Sequence, residues 1–267
     1  MALITNQKDG LVWQASPEIA VAHGFTTRVG GVSTGHLASL NLRVQRGDTE
    51  ENVLENYRRL GAAMGFDPKK LVMSSQTHSD IVRVVTAEDW GAGLYGPELP
   101  TCDALITNVP GTVLAVFTAD CTPIVLWDSI TGAVGAVHAG WRGTAMNIAG
   151  KTVEAMTEAF GCDPANIRAA IGPNIGQCCF ETDGDVPRAL QKAYGPEVAW
   201  FVRRRENKYY VNLKTVNAMA LGRAGVEAME LSDHCTACMP ELYWSHRVTK
   251  GIRGSQGAVI RCGEVGV

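Results

Sequence analysis

A succession of short apolar runs, rich in β-branched and aromatic residues, limits this fold more than any other feature. VAHGFTT, LVMSS, IVRVVT, DALIT, TVLAVFT, PIVLW, AVGAVH, IRAAI, VAWFV, KYYVNL and LYWSHR all read as strands. Only three segments carry helical periodicity. In DTEENVLENYRRLGAAMG, Asp48 and Glu51 have capping-box spacing, and Val53, Leu54, Tyr57, Leu60 and Met64 share one face. GTAMNIAGKTVEAMTEAFG carries the stripe Ala149, Val153, Met156 and Phe160 with Gly161 as its stop, and NLKTVNAMALGRAG is the third. Strands that outnumber helices without alternating with them predict an α+β fold, a mixed β-sheet sandwich or half-barrel surrounded by helices, and argue against a doubly wound sheet. No G-x-G-x-x-G follows a strand and no G-x-x-x-x-G-K-[ST] occurs, so dinucleotide and P-loop chemistry lack their cradles.

At 267 residues, with no repeat, low-complexity tract or Pro/Ser-rich linker, the chain is expected to form a single domain over 1–267. A net charge of −3 and a pI near 6.1 argue against nucleic acid as a main partner. The opening MALITNQKDGLVWQ has neither a basic leader nor a long apolar core, and no stretch reaches the ~20 apolar residues of a membrane span. A cytoplasmic protein without a membrane partner is expected. Eight cysteines are too few for a disulfide scaffold and in a reducing compartment would be thiols, each serving as core filler, ligand or nucleophile.

Three metal-capable residues stand at strand ends: His78 in SSQTHSD, Cys121 in VFTADCTP, and His138 in GAVGAVHAGWRGT. Two histidines and a cysteine leave a tetrahedral Zn2+ one open position, as in catalytic sites, and water there is acidified toward neutrality. A second arrangement makes Cys121 a thiolate nucleophile with His138 as its base. Plainer roles are a hydrogen-bonded strand-end histidine and a cysteine acting as a small hydrophobe.

HGFTTRVGGVSTG, SLNL, QTHSD, TADCTPIVL, AVHAGWRGT, IGPNIGQCCFE and CTACMPELYWSHRVTKGIRG follow one another along the chain, and together they resemble the laccase-domain family. Its bacterial members have been called polyphenol oxidases, purine nucleoside phosphorylases and peptidoglycan editing factors. The resemblance implies a mixed fold related to bacterial deamidase toxins and a zinc site at His78, Cys121 and His138. It also implies phosphorolysis of adenosine, inosine and methylthioadenosine, with adenosine deamination. The chain departs from the family pattern in CCFET, where tyrosine is expected in place of Phe180 and an apolar residue in place of Thr182. A multicopper oxidase needs H-x-H segments for its trinuclear cluster, and six histidines without one H-x-H cannot supply them. Cu2+ is therefore expected only as an adventitious or alternative occupant.

With purine nucleosides and inorganic phosphate as partners, the anion needs a holder. Arg28 stands beside the backbone amides of Gly30 and Gly31, Arg142 opens a helix beside Trp141, and Arg43 follows SLNL. These three are the expected phosphate contacts, although the glycine loop also reads as a surface turn and the arginines as ion-pair partners. Asp120, beside the cysteine ligand, is an expected catalytic group with Cys121 and His138, as proton shuttle or as a carboxylate that fixes a ligand. Asp80 is the same kind of candidate. The zinc-deaminase signature H-x-E with P-C-x-x-C is absent.

Cys235 and Cys238 form a C-x-x-C whose only second pair would be Cys178 and Cys179; adjacent cysteines match normal spacing poorly, so packing is the expected role. Ser245, His246 and Arg247 are expected on a strand flanking the pocket. The function expected is a zinc-dependent purine nucleoside enzyme, monomer or homodimer. A cysteine hydrolase or amidase editing peptidoglycan precursors, a copper-dependent polyphenol oxidase and a metal-binding protein without chemistry are the alternatives.

Overall fold

The computed structural model describes residues 3–263. An antiparallel meander of β1 (Ile4–Lys8), β2 (Leu11–Ala15) and β3 (His23–Thr26) precedes α1 (Glu50–Met64). β4 (Leu71–Val72), β5 (Val82–Val84), β6 (Ala104–Thr107), β7 (Val113–Thr118), β8 (Thr122–Asp128) and β9 (Val134–Ala139) follow. Next come α2 (Trp141–Ala145), α3 (Ile148–Phe160) and β10 (Ile167–Ile171). The last part holds β11 (Glu181–Thr182), α4 (Asp185–Tyr194), β12 (Val202–Arg205), β13 (Lys208–Val211), α5 (Leu213–Arg223), β14 (Ala228–Leu231), α6 (His246–Thr249) and β15 (Gln256–Arg261).

Two six-stranded sheets, ordered β1-β2-β3-β15-β7-β4 and β14-β10-β8-β9-β6-β5, form the centre, with β11-β13-β12 as a small third sheet. Both large sheets are mixed: β4 runs parallel to β7, β5 to β6 and β10 to β14, among otherwise antiparallel pairs. The two-residue period of a strand explains how they stack. Leu114 and Val116 of β7 face Val125, Val134 and Ala136 of the other sheet, while Val113, Ala115 and Phe117 face Val53, Tyr57 and Leu60 of α1. On the far side, Ile124, Leu126 and Val137 pack on Ala149, Val153 and Met156 of α3 and Val216 of α5. The order is helix, sheet, sheet, helices, so the middle strands are apolar on both faces and read in sequence as unbroken runs. The α+β reading holds, in its sandwich form.

Several local expectations are corrected. Thr49, not Asp48, caps α1, its side chain accepting from the Asn52 amide, while Asp48 brackets Ser33, Asn41 and Asn52. The second helical segment breaks at Asn147, whose φ of 62° lies in the left-handed region and separates α2 from α3. VAWFV is mostly a 3-10 turn over Pro196–Phe201. LYWSHR forms no strand: Tyr243 and Trp244 are buried, and Ser245 caps α6, placing His246 and Arg247 on a helical turn. β1, β2, α4, β14 and β15 had no sequence assignment, although β15 is central to its sheet.

Where β10 ends, a Cβ on Gly172 would lie 2.2 Å from Cδ1 of the buried Phe25 ring. Gly172→Ala is expected to cost about 1–3 kcal/mol in urea unfolding. Gly222→Ala on α5, whose nearest atom would be Met229 Cε at 3.7 Å, is expected to be neutral or to stabilise by up to about 1 kcal/mol. Equal midpoints for the two variants would contradict this packing.

Candidate metal centre

β8 and β9 are hydrogen-bonded with Thr122 opposite Ala139 and Pro123 opposite His138. Cys121, just before β8, therefore stands beside His138 near the end of β9. His78 arrives from the loop between β4 and β5, and the ligand atoms of all three lie within 4.8 Å of one another. The two imidazole rings meet edge-on with centroids 4.9 Å apart. Gly140 makes room: a Cβ there would lie 2.2 Å from His78 Nδ1 and 3.2 Å from Cys121 Sγ.

Asp103, fully buried at the start of β6, organises the cluster. Its carboxylate accepts from the amides of Thr77, His78 and Ser79 at 3.2, 3.0 and 2.6 Å, and from Ser79 Oγ at 2.7 Å. These bonds hold the loop in which His78 adopts a φ of 63°, a left-handed conformation that costs a non-glycine residue about 1–2 kcal/mol. The same carboxylate receives His138 Nδ1 at 2.7 Å, which leaves the other ring nitrogen for Cys121 or a metal.

Burial disfavours charge on Asp103, yet the bonds from His138 and Ser79 outweigh it and hold the carboxyl well below the usual range. Burial likewise opposes protonation of His138, but the Cys121 sulfur and the Asp103 carboxylate push it up to about 9. His78 moves the other way, lowered by burial and by the neighbouring His138. His78 Nδ1 is buried without a hydrogen-bond partner among the described residues, a vacant donor pair that a metal would use. Two nitrogens and one sulfur suit a single Zn2+ with an open position. A multicopper cluster does not fit, because among the described residues His78 and His138 are the only histidines in a metal-capable group.

The cluster lies where two lobes of a cleft meet. One, of ≈ 260 Å³, is cationic, with Arg43, Arg46 and Arg253 in its wall. The other, of ≈ 340 Å³, is lined by Trp141, Ile175, Phe180 and Leu213, with His246 and Arg247 at its edge. His78, Cys121, Arg46 and Arg253 border both. Burial and the nearby Arg46 push Arg253 down to about 10, and its Nε has no partner among the described residues. Arg43 pairs with Glu98 at 2.8 Å and stacks on Phe117.

The structure gives Arg28 a different task from the one expected. Its Nε and Nη2 donate to Ala38 O and its Nη1 to Pro240 O, and the guanidinium stacks 3.7 Å over Trp244, outside both lobes. Arg142 stacks on Trp141 and is not part of the lining; Arg43 is. The Asp120 carboxylate accepts from Thr236 Oγ1, Ser245 Oγ and the Arg247 amide at 2.6, 3.0 and 2.7 Å, and so ties the start of α6 to the segment beside Cys121. Asp80 is ion-paired with Lys151. Sequence reasoning missed Asp103, Arg46 and Arg253. Asp103 had a visible signal, a carboxylate immediately before an otherwise apolar strand, whereas Arg46 ends a short 3-10 turn and Arg253 lies on a loop, both without periodicity.

A family profile described as multi-copper polyphenol oxidoreductase laccase matches residues 22–263. A relative from Geobacillus stearothermophilus, named purine nucleoside phosphorylase YlmD, is 37% identical over 251 residues, covering 92% of each chain. Another from Deinococcus radiodurans, named purine nucleoside phosphorylase, is 39% identical over 251 residues, or 94% of this chain and 93% of that one. The crystal structure of YlmD from Geobacillus stearothermophilus matches with a TM-score of 0.92 and 36% identity, over 98% of this chain and 100% of that one.

Asp103→Asn is expected to weaken zinc binding about 10–100-fold in chelator competition, with Asp80→Asn unchanged; equal affinities for the two variants would remove Asp103 from the site. A second expectation concerns pH. In the metal-free protein His138 keeps its proton up to about pH 9, above the ordinary value of 6.5. Its contacts with Asp103 and Cys121 thus stabilise the metal-free fold fully below pH ~6.5, and that contribution is lost as pH rises through about 9. Zinc must displace this proton, so its affinity should climb from pH 7 to about 9 and then level. An affinity flat across that interval would contradict a protonated His138.

Proposed function

The chain belongs to the multi-copper polyphenol oxidoreductase laccase family, and from that premise we propose that it is a zinc-dependent purine nucleoside phosphorylase rather than an oxidase. The observation that carries the reading is a metal-capable triad at the junction of a cationic lobe and an aromatic one, with His78 and Cys121 lining both and His138 the cationic one. The names of the relatives point the same way. Zn2+ held by His78, Cys121 and His138 would supply Lewis acidity at its open fourth position, and Cu2+ is an alternative occupant of the same ligands.

The chain's own residues divide the work by lobe. Arg43, Arg46 and Arg253 hold inorganic phosphate through charge-assisted hydrogen bonds. Trp141 and Phe180 offer ring faces to a purine, and Ile175 and Leu213 exclude water around it. Phenylalanine in place of the family's tyrosine at 180 keeps that ring and removes a hydroxyl. The shared wall turns the ribose of a nucleoside in the aromatic lobe toward phosphate in the cationic one. A phosphate oxygen attacks C1′, the bond from C1′ to the purine nitrogen breaks, and ribose 1-phosphate and the free base leave. Adenosine, inosine and methylthioadenosine all offer this bond. Adenosine deamination, with water as nucleophile at the ring carbon bearing the amine, is part of the same proposal.

One observation favours a second reading. Cys121, His138 and Asp103 make a nucleophile, base and orienting carboxylate in series, the arrangement of a cysteine hydrolase acting on an amide such as a peptidoglycan precursor. Chelation separates the two, since phosphorolysis would stop and the hydrolase would persist.

Chromatography of adenosine incubated with the enzyme is expected to show adenine only when phosphate is present. Arg253→Gln should raise the KM for phosphate at least ~10-fold, the loss of one charge-assisted pair. Arg28→Gln should lower stability and leave that KM unchanged. Adenine release independent of phosphate, or oxidation of a phenol by copper-free protein, would overturn the reading.

A further inference from the structure

The structure brings together the four cysteines whose spacing argued for packing. Cys178 Sγ lies 3.6 Å and Cys179 Sγ 3.4 Å from Cys238 Sγ, and these three and Cys235 Sγ are all within 4.8 Å of one another. A disulfide would hold two of them at about 2.0 Å. Four thiolates at about 2.3 Å from one tetrahedral ion are about 3.8 Å apart, close to the 3.6 and 3.4 Å to Cys238 and within the 4.8 Å that bounds the group. An iron–sulfur cluster puts several irons and bridging sulfides between its thiolates and spreads them wider than a single ion does.

The backbone is shaped for the same end. The chain turns through the adjacent pair, with the amides of Cys179 and Phe180 both donating to Gly176 O, so consecutive side chains reach Cys238. Gly176 lets the turn close tightly, since a Cβ there would crowd Cys178 Sγ and Cys235 Cβ, each at 3.1 Å. Its amide donates to Cys235 Sγ at 3.1 Å, and the Ala237 and Cys238 amides lie against the same sulfur. A dication with four thiolates carries two net negative charges, and two cations flank the group. Lys214 is bonded to the carbonyls of Ser232 and His234, and Arg247 to those of Cys179 and Glu181. Cys178 and Cys238 are exposed and give an ion its way in.

We propose that Cys178, Cys179, Cys235 and Cys238 form a second, structural zinc site that ties the segment carrying Ile175 and Phe180 to the turn before α6. It shares no ligand with the triad and does not depend on the reaction proposed above. Its effect is to fix the wall of the aromatic lobe, since Ile175 and Phe180 bracket the cysteine pair and Arg247 is bonded across to it.

Metal analysis of Cys121→Ala, which lacks the first site, tests this directly. That protein, purified with zinc under reducing conditions, is expected to retain about one zinc per chain, and X-ray absorption should report four sulfurs at about 2.3 Å. Adding Cys238→Ser, or Cys178→Ser should the first fail to fold, should remove that zinc. In Cys121→Ala the four thiols should react with a thiol reagent only after chelation. Cys121→Ala protein free of zinc, zinc with a nitrogen or oxygen shell, four thiols reactive without chelation, or a disulfide from Cys238 to Cys178 or Cys179 would each overturn the proposal.

Discussion

A carboxylate without solvent contact is tolerable only when its charge is met on every side, and Asp103 meets that condition with three backbone amides, a hydroxyl and an imidazole. Much of the site depends on this one group. It holds a loop whose central residue has a left-handed backbone, and it fixes which face of His138 looks into the cleft. Because Asp103 immediately precedes β6, and β6 pairs with β9, His78 on its loop and His138 on its strand are referred to the same sheet. Cys121 joins them through the β8–β9 ladder. The three ligand atoms therefore meet without any of them lying near another in sequence.

The sandwich supplies the rest by geometry. Strands buried on both faces cannot carry polar side chains along their length, so chemistry collects where they end. Beside the ends of β7, β8 and β9, the segment before α1 brings Arg46 and the segment between α6 and β15 brings Arg253 to the same cleft. An acidic protein thus holds a locally cationic lobe, which suits a small anion better than a polyanion. The neighbouring lobe takes Trp141, Ile175, Phe180, Leu213, His246 and Arg247 from the second half of the chain, and Asp120, beside Cys121, bonds Thr236, Ser245 and Arg247.

Fold class was legible because strand runs and helical stripes obey different periods, and the runs from β6 to β10 appear where they were read. The metal-capable residues were legible as titratable groups ending apolar runs, His138 above all. Arg28 misled because a cation beside glycines reads the same whether it binds an anion or its own chain's carbonyls. Only the fold shows Ala38 O and Pro240 O around it. Arg253 was invisible for the opposite reason: nothing in GIRG announces a half-buried arginine whose Nε has no partner among the described residues. The meeting of the four cysteines was not legible because a spacing rule assumes each pair comes from a knuckle, whereas a turn at Gly176 lets neighbours in sequence reach one point in space.

Phosphorus NMR of adenosine, phosphate and zinc-loaded protein tests the central claim most directly, because it sees the fate of the sugar rather than of the base. The account requires a ribose 1-phosphate resonance that grows with the wild-type protein and is absent with Cys121→Ala. Free ribose in place of the phosphate ester, or an undiminished ester signal from Cys121→Ala, would contradict it.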